Sequence, residues 1–324
     1  TFFIFLGLLI ADIGNSTTEF AGVAGSMEVL GISKYISVPL AGIAVWLLVV
    51  KGNYKIAERV FIIFSLALFM YIISALMGNP NWSEIGSSII HPKANVDSGY
   101  IGIVIGVIGT TIAPWMLFYM QSSVIEKGLK KENYRYILLD IIIGCLATVV
   151  VAFFIIIACA STLHPQGVVI NEAKDAALAL MPLAGNLAAV VFAFGLFIAS
   201  IFSATILPLA ASFYICEAFG FEAGIDKKWK EAPEFFILYT GMLLISMAII
   251  LMPDAPLIKI TLISQILNGM FLPIVLVSIM LIVNKKKVMG DHTNRLFNNV
   301  IGWSTVIILI ALTIIYFGMR IFPV

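Results

Sequence analysis

The stretch GTTIAPWM, Gly109 to Met116, sits in the middle of an apolar run from 99 to 125. Proline carries no amide hydrogen, so Pro114 cannot bond the carbonyl of Thr110 four residues earlier, and its ring clashes with an ideal helix. A helix break is therefore expected, with Gly109 as a flexible joint and Thr110 and Thr111 adding hydroxyls. Breaks of this kind near a membrane midplane expose carbonyls and half-helix ends that can hold a cation. A simple proline kink, frequent in membrane helices, is the other reading.

The chain around this stretch is that of an integral membrane protein. Hydrophobic residues make up 61% of 324 and charged residues 11%, with a mean hydropathy of +1.08, far outside the range of soluble domains. Nine apolar runs, near 1–30, 36–50, 57–78, 99–125, 136–160, 183–215, 233–252, 256–283 and 299–320, are candidate spans. A bilayer needs roughly 20 residues, so the short second run must lie within protein or be extended by its flanks.

Basic residues orient these spans, because short cytoplasmic loops collect Lys and Arg. Most of the 19 fall in alternate loops: Lys51, Lys55 and Arg59; Lys127, Lys130, Lys131 and Arg135; Lys227, Lys228 and Lys230; Lys285, Lys286, Lys287 and Arg295. The other face holds Lys34, Lys93, Lys174, Lys259 and Arg320. The amino terminus is thus expected inside and the carboxyl terminus outside, in a multi-pass protein of the cell membrane (inner or plasma membrane). A net charge of +1 offers no footprint for nucleic acid. Cys145, Cys159 and Cys216 fall within or at the end of spans and read as buried thiols.

Polar groups inside spans are costly and so mark candidate functional positions. In ADIGNSTTEF, Ala11 to Phe20, the residues Asp12, Asn15, Ser16 and Glu19 fall on one helical face. That stripe faces either an ion pathway or a neighbouring helix. In LISQILNGMFLP, Leu262 to Pro273, Gln265 and Asn268 share a face, so two amide oxygens point either at one ion or at one partner helix. Pro208 and Pro273 predict further kinks. His91 and His292 lie in loops and His164 at the outer end of a span. No catalytic constellation emerges, and neither an enzyme nor a cofactor is expected.

These pieces resemble the Nramp divalent-metal transporters, whose LeuT-like fold has two inverted five-helix repeats. GTTIAPWMLFY is similar to Nramp helix 6, in which a Met-Pro-His triplet follows a Gly-Ala-Thr-Val-like lead-in. LISQILNGMFLPIVLV resembles helix 10, with Gln265 at the place of a glutamine near the ion. VMGDHTNRLFNNVIGW, from Val288, resembles the loop before helix 11, and GNYKIAERV, from Gly52, the turn between helices 4 and 5. Asp12-Ile13-Gly14-Asn15 looks like the Asp-Pro-Gly-Asn signature of helix 1. Only one span separates it from the turn between helices 4 and 5, and Ile13 lacks the signature proline, so the resemblance assigns it to helix 3. Helices 1 and 2, and with them the principal metal carboxylate, are then expected to be absent from the chain as given.

The resemblance implies an all-α, LeuT-like inverted-repeat membrane protein with about nine transmembrane helices, helix 6 broken. It is one transporter domain over 1–324, with helices 3–5 at 1–78, helices 6–10 at 99–284 and helix 11 at 299–320. The implied metal positions are Thr110, Ala113, Gln265 and Asn268, with the break at Gly109 and Pro114. Glu19 takes the place of a glutamate on the family's proton route, and Ser16 replaces its aspartate partner. Ala113 replaces the methionine of helix 6 and Trp115 the histidine. Loss of the thioether removes a bias toward transition metals, and a roomy oxygen site suits Mg2+, which keeps several waters.

Trp115 and Ser16 cannot take up protons, which implies uptake of Mg2+, and also Mn2+, by alternating access without proton coupling, although Glu19 and Asp12 still could titrate. A divalent ion crossing 100 mV gains roughly 4.6 kcal/mol, enough to drive uptake. The prokaryotic Nramp-related magnesium transporters are the most similar branch. The alternatives are a proton-coupled Mn2+ or Fe2+ importer and an amino-acid permease of the same fold. The expected partners are divalent metal ions, as transported substrate, and the lipid bilayer, with the carrier acting as a monomer.

Overall fold

In the computed structural model, residues 2–51, 70–77, 79–91, 97–162, 167, 186–253 and 255–321 are described. Lys55, Arg59, Lys93, His164 and Lys174 lie outside them, as do the segment from Gly52 to Val60 and parts of the third and sixth apolar runs. The described residues are helical or in short connections, without a strand among them.

The helices are α1 (Phe2–Val29), α2 (Lys34–Val50), α3 (Met70–Met77), α4 (Trp82–Ile90), α5 (Ser98–Thr111), α6 (Pro114–Glu126) and α7 (Tyr134–Thr162). They continue as α8 (Asn186–Phe219), α9 (Pro233–Leu251), α10 (Leu257–Val283) and α11 (Leu296–Ile321), with a single turn at Lys286–Met289 before the last. Six stretches among the described residues are long and apolar enough to cross a membrane: Ser98–Ile125, Lys131–Ser161, Ala193–Phe219, Pro233–Leu251, Ile258–Val283 and Leu296–Met319. At 28 residues α1 has the length as well, but its polar stripe makes it less apolar.

Local chemistry sets the ends. The Asp97 side chain caps α5 by accepting from the Tyr100 N–H at 2.8 Å. Pro233 opens α9 at a position where its missing N–H costs nothing. Gly31, at φ 79°, takes the left-handed conformation that stops α1. In the connection between α8 and α9, Glu222 pairs with Lys227, whose ammonium holds the Glu222 carboxyl below the usual carboxylate range.

Helix α1 is the hub, packed against α2, α8, α9 and α10. Its Phe20, Val23 and Ala24 join Val38 and Val45 of α2, Leu209 and Phe213 of α8, and Phe235, Phe236 and Tyr239 of α9 in the main core. By contrast α7 exposes Ile143, Leu146, Val149 and Ile156, as a helix dissolved in hydrocarbon does. The backbones of α5 and α10 cross closely. A Cβ on Gly109 would lie under 3.0 Å from the Gln265 carbonyl oxygen and from the Gly269 nitrogen. Only glycine permits that approach, and it fixes where the broken helix meets α10.

Candidate functional site

The break forms where Pro114 cannot donate. The last backbone bond of α5 runs from the Ile112 N–H to the Ile108 carbonyl at 2.9 Å, and the first of α6 from the Met116 N–H to the Ala113 carbonyl at 3.1 Å. Between them Ile112 (φ −126°, ψ 75°) and Ala113 (φ −77°, ψ 139°) leave the helical region. Pro114 becomes the first residue of α6, leaving the Thr110 carbonyl without its usual i+4 donor. The carboxyl end of α5 carries partial negative charge from such carbonyls, which favours a cation beside it.

A cavity of about 200 Å³ opens at this break, with room for an ion and several waters. Asn15 and Glu19 line it from α1, Thr110 and Ala113 from the break, Trp115 and Met116 from α6, Ser203 and Leu207 from α8, and Gln265 from α10. Among the described residues no three His, Cys, Asp or Glu side chains come together. The lining residues therefore offer a carboxylate, amides, hydroxyls and carbonyl oxygens, groups that suit hard divalent cations, beside the Met116 thioether.

Behind the cavity wall runs a buried polar network. Asn15 Oδ1 accepts from Gln265 Nε2 at 3.0 Å and from Asn268 Nδ2 at 2.8 Å. Asn15 Nδ2 donates to Asp12 Oδ1 at 3.3 Å, and the Tyr214 hydroxyl donates to Asp12 Oδ2 at 2.8 Å. This ties α1 to α8 and α10 with groups that would be costly alone in an apolar core. Asn268 Oδ1 and Ser16 Oγ are buried without a hydrogen-bond partner among the described residues.

The sequence-derived positions thus divide. Thr110, Ala113, Trp115, Glu19 and Gln265 line one cavity. Asn268, 1% exposed, sits behind it and spends its Nδ2 on Asn15. Asp12 and Ser16, 1% and 0% exposed, are buried among the helices. The stripe on α1 is both things at once: Asn15 and Glu19 face the cavity while Asp12 and Ser16 face other helices. Gln265 and Asn268 likewise both reach toward a partner helix, and Gln265 alone of the two also lines the cavity.

Sequence reasoning gives Asn15 a pathway role only as one of the α1 stripe, and gives none to Ser203, Leu207 and Met116, nor any partner to Tyr214. Asn15 belongs to the polar stripe and Met116 to the decisive stretch itself. Ser203 and Leu207 lie in a long apolar run where no local signal separates them from neighbours.

A family model described as "Natural resistance-associated macrophage protein-like", Nramp, matches residues 1–318. The natural resistance-associated macrophage protein 2 homolog of Dictyostelium discoideum is 27% identical over 312 residues, covering 90% of this chain and 48% of that protein. The chain therefore spans about half the length of this relative. Among solved structures, a histidine-to-alanine mutant of the Eremococcus coleocola manganese transporter matches with a TM-score of 0.69 at 18% identity. The match covers 97% of this chain and 70% of that one, and shows a common fold.

Proposed function

Because this chain belongs to the Nramp family, multi-pass membrane proteins with a LeuT-like fold, we propose that it carries divalent metal cations through the cavity at the α5–α6 break. The cargo we assign is Mg2+, with Mn2+ also passing, and the uptake is not coupled to protons. The metal is a transported substrate, and the protein is a carrier rather than an enzyme. In this reading 1–78 corresponds to family helices 3–5, 99–284 to helices 6–10 and 299–320 to helix 11, in one monomeric transporter domain.

The observation that carries the reading is Ala113. It lines the cavity at the centre of the break, where the family pattern has a methionine. A methyl group leaves space for a metal that keeps part of its water shell, as Mg2+ does. Thr110 contributes its carbonyl and Gln265 its amide oxygen, while Asn268 braces Gln265 and Asn15 from behind. Trp115 lines the same cavity, and an indole has no basic nitrogen to shuttle a proton. Ser16 has none either.

Glu19 favours a second reading. Among the described residues it is the one carboxylate lining the cavity, so a proton-coupled Mn2+ or Fe2+ importer would have a titratable group in place. Uptake of Mg2+ and Mn2+ into proteoliposomes, with lumenal pH recorded, separates the two. Mg2+ entry without acidification is expected. Mn2+ entry that excludes Mg2+ and acidifies the lumen would replace the first reading with the second.

A further inference from the structure

The methionine absent at position 113 has a counterpart three residues on. Ala113 is the residue just before α6, and Met116 lies in the first turn of that helix. The first hydrogen bond of α6, from the Met116 N–H to the Ala113 carbonyl at 3.1 Å, holds the two backbones together. Both residues line the cavity that Glu19, Thr110 and Gln265 also face. Ala113 leaves volume there, and among the described lining residues Met116 is the one that carries a sulfur atom.

Met116 is also placed differently from its neighbours in sequence. Trp115 and Phe118 pack against the core cluster around Leu8, Ala211 and Tyr214, whereas Met116 is 39% exposed. Its three rotatable bonds let the thioether swing without disturbing that core. Together with Trp115 it lines a second cleft too, of about 600 Å³, which runs past Met120, Ser123 and Lys127 between α6 and α7. Met116 therefore stands at the wall between the site and a wider cleft that leads toward Lys127.

We infer that Met116 is a selectivity-determining ligand of this carrier, a soft donor that gives the cavity affinity for soft divalent cations in addition to Mg2+. Thioethers bind soft and late transition metals in preference to hard cations. The inference rests on the cavity being the metal site and departs from an oxygen-only donor set.

The test uses the protein grown with selenomethionine and loaded with Cd2+, observed by X-ray absorption at the cadmium edge. Selenium marks methionine and distinguishes it from Cys145, Cys159 and Cys216. A selenium scatterer on cadmium is expected, and it should vanish in Met116→Leu, a swap that conserves volume. In proteoliposomes the Cd2+ concentration that halves Mg2+ uptake should rise about tenfold in Met116→Leu, from loss of the soft ligand. Met116→Cys should keep the strong Cd2+ competition that leucine loses, so each variant checks the other. An all-oxygen shell in the parent protein, or a selenium signal that survives Met116→Leu, overturns the inference. If cadmium finds selenium but no metal crosses the membrane, the transport reading falls and the ligand assignment stands.

Discussion

Pro114 parts its helix, whereas Pro208 and Pro273, also inside apolar spans, do not. Pro208 lies within the 34 residues of α8 and Pro273 within the 27 residues of α10, and both helices run through. At Pro114 the chain instead leaves the helical region for two residues. Each proline forfeits the same bond, so the difference lies in the surroundings. The two sides of Pro114 have different partners: α5 packs on α10, its Gly109 against the Gln265 and Gly269 backbone, while α6 packs on α8. A proline weakens a helix, and divergent packing on its two sides decides whether it comes apart.

The largest expected effect comes from removing the close approach. In Gly109→Val the side chain meets backbone atoms of α10 at under 3.0 Å, which cannot move aside as a side-chain tip can. Overpacking of this kind costs about 1–3 kcal/mol or more, and here it also displaces Gln265 from the cavity. Metal uptake should be abolished and thermal unfolding should fall markedly. Gly241 of α9 has open space around its Cβ position, so Gly241→Ala should leave uptake unchanged and raise stability by about 0.5–1 kcal/mol through helix propensity.

Restoring the missing donor is next in size. Pro114→Ala returns an N–H opposite the Thr110 carbonyl and lets α5 and α6 propagate as one helix, which closes the cation site. Metal uptake should fall by about ten- to a hundredfold, since a continuous helix is favoured by roughly 3 kcal/mol once proline is gone. Pro273→Ala, in a helix already continuous, should change uptake by less than about twofold. Equal effects at both positions would mean that the break does not serve transport.

Much of this fold is legible in the sequence for a physical reason. A bilayer demands long apolar helices, so hydropathy marks every described span, and Pro114 between Gly109 and Trp115 marks the break. Family membership follows from the same stretch and from Leu262 to Pro273. The arrangement of the polar groups is less legible. Helical periodicity puts Asp12, Asn15, Ser16 and Glu19 on one face but cannot show that α8 and α10 divide that face between them, with Tyr214 taking Asp12 and Gln265 taking Asn15. Nor can it find Ser203, whose role depends on three helices meeting. Met116 escapes notice because comparison with a family pattern looks at the position that changed, not at the neighbour one turn along.

Gln265 and Asn268 offer a finer contrast, since both donate to Asn15 yet only Gln265 lines the cavity. Gln265→Ala should weaken metal affinity about tenfold, the scale of losing a group in or next to a ligand shell. Asn268→Ala should cost about 1 kcal/mol of stability through its lost hydrogen bonds and alter affinity less. Titration of metal binding alongside thermal unfolding checks the pair, and a larger affinity loss at Asn268 would move the site behind the cavity wall.

The smallest effect tests whether α6 moves against its partner. Ser122 Oγ donates to Glu217 Oε1 at 2.7 Å, joining the carboxyl end of α6 to the carboxyl end of α8. Ser122 is buried, 3% exposed, while Glu217 is exposed and can take its hydrogen bonds from water once the serine is gone. The bond is therefore worth about 1 kcal/mol rather than the larger value of a fully buried charged acceptor. If α6 stays seated on α8 through the cycle, Ser122→Ala loses that much stability and uptake stays within about twofold, because both end states lose the bond alike. If α6 leaves α8 in one state, the variant destabilises only the seated state and shifts the balance between states by about fivefold, since about 1.4 kcal/mol makes a decade. Uptake rate measured with inside and outside metal exchanged reads that shift directly, and it would make the break at Pro114 a hinge as well as a binding site.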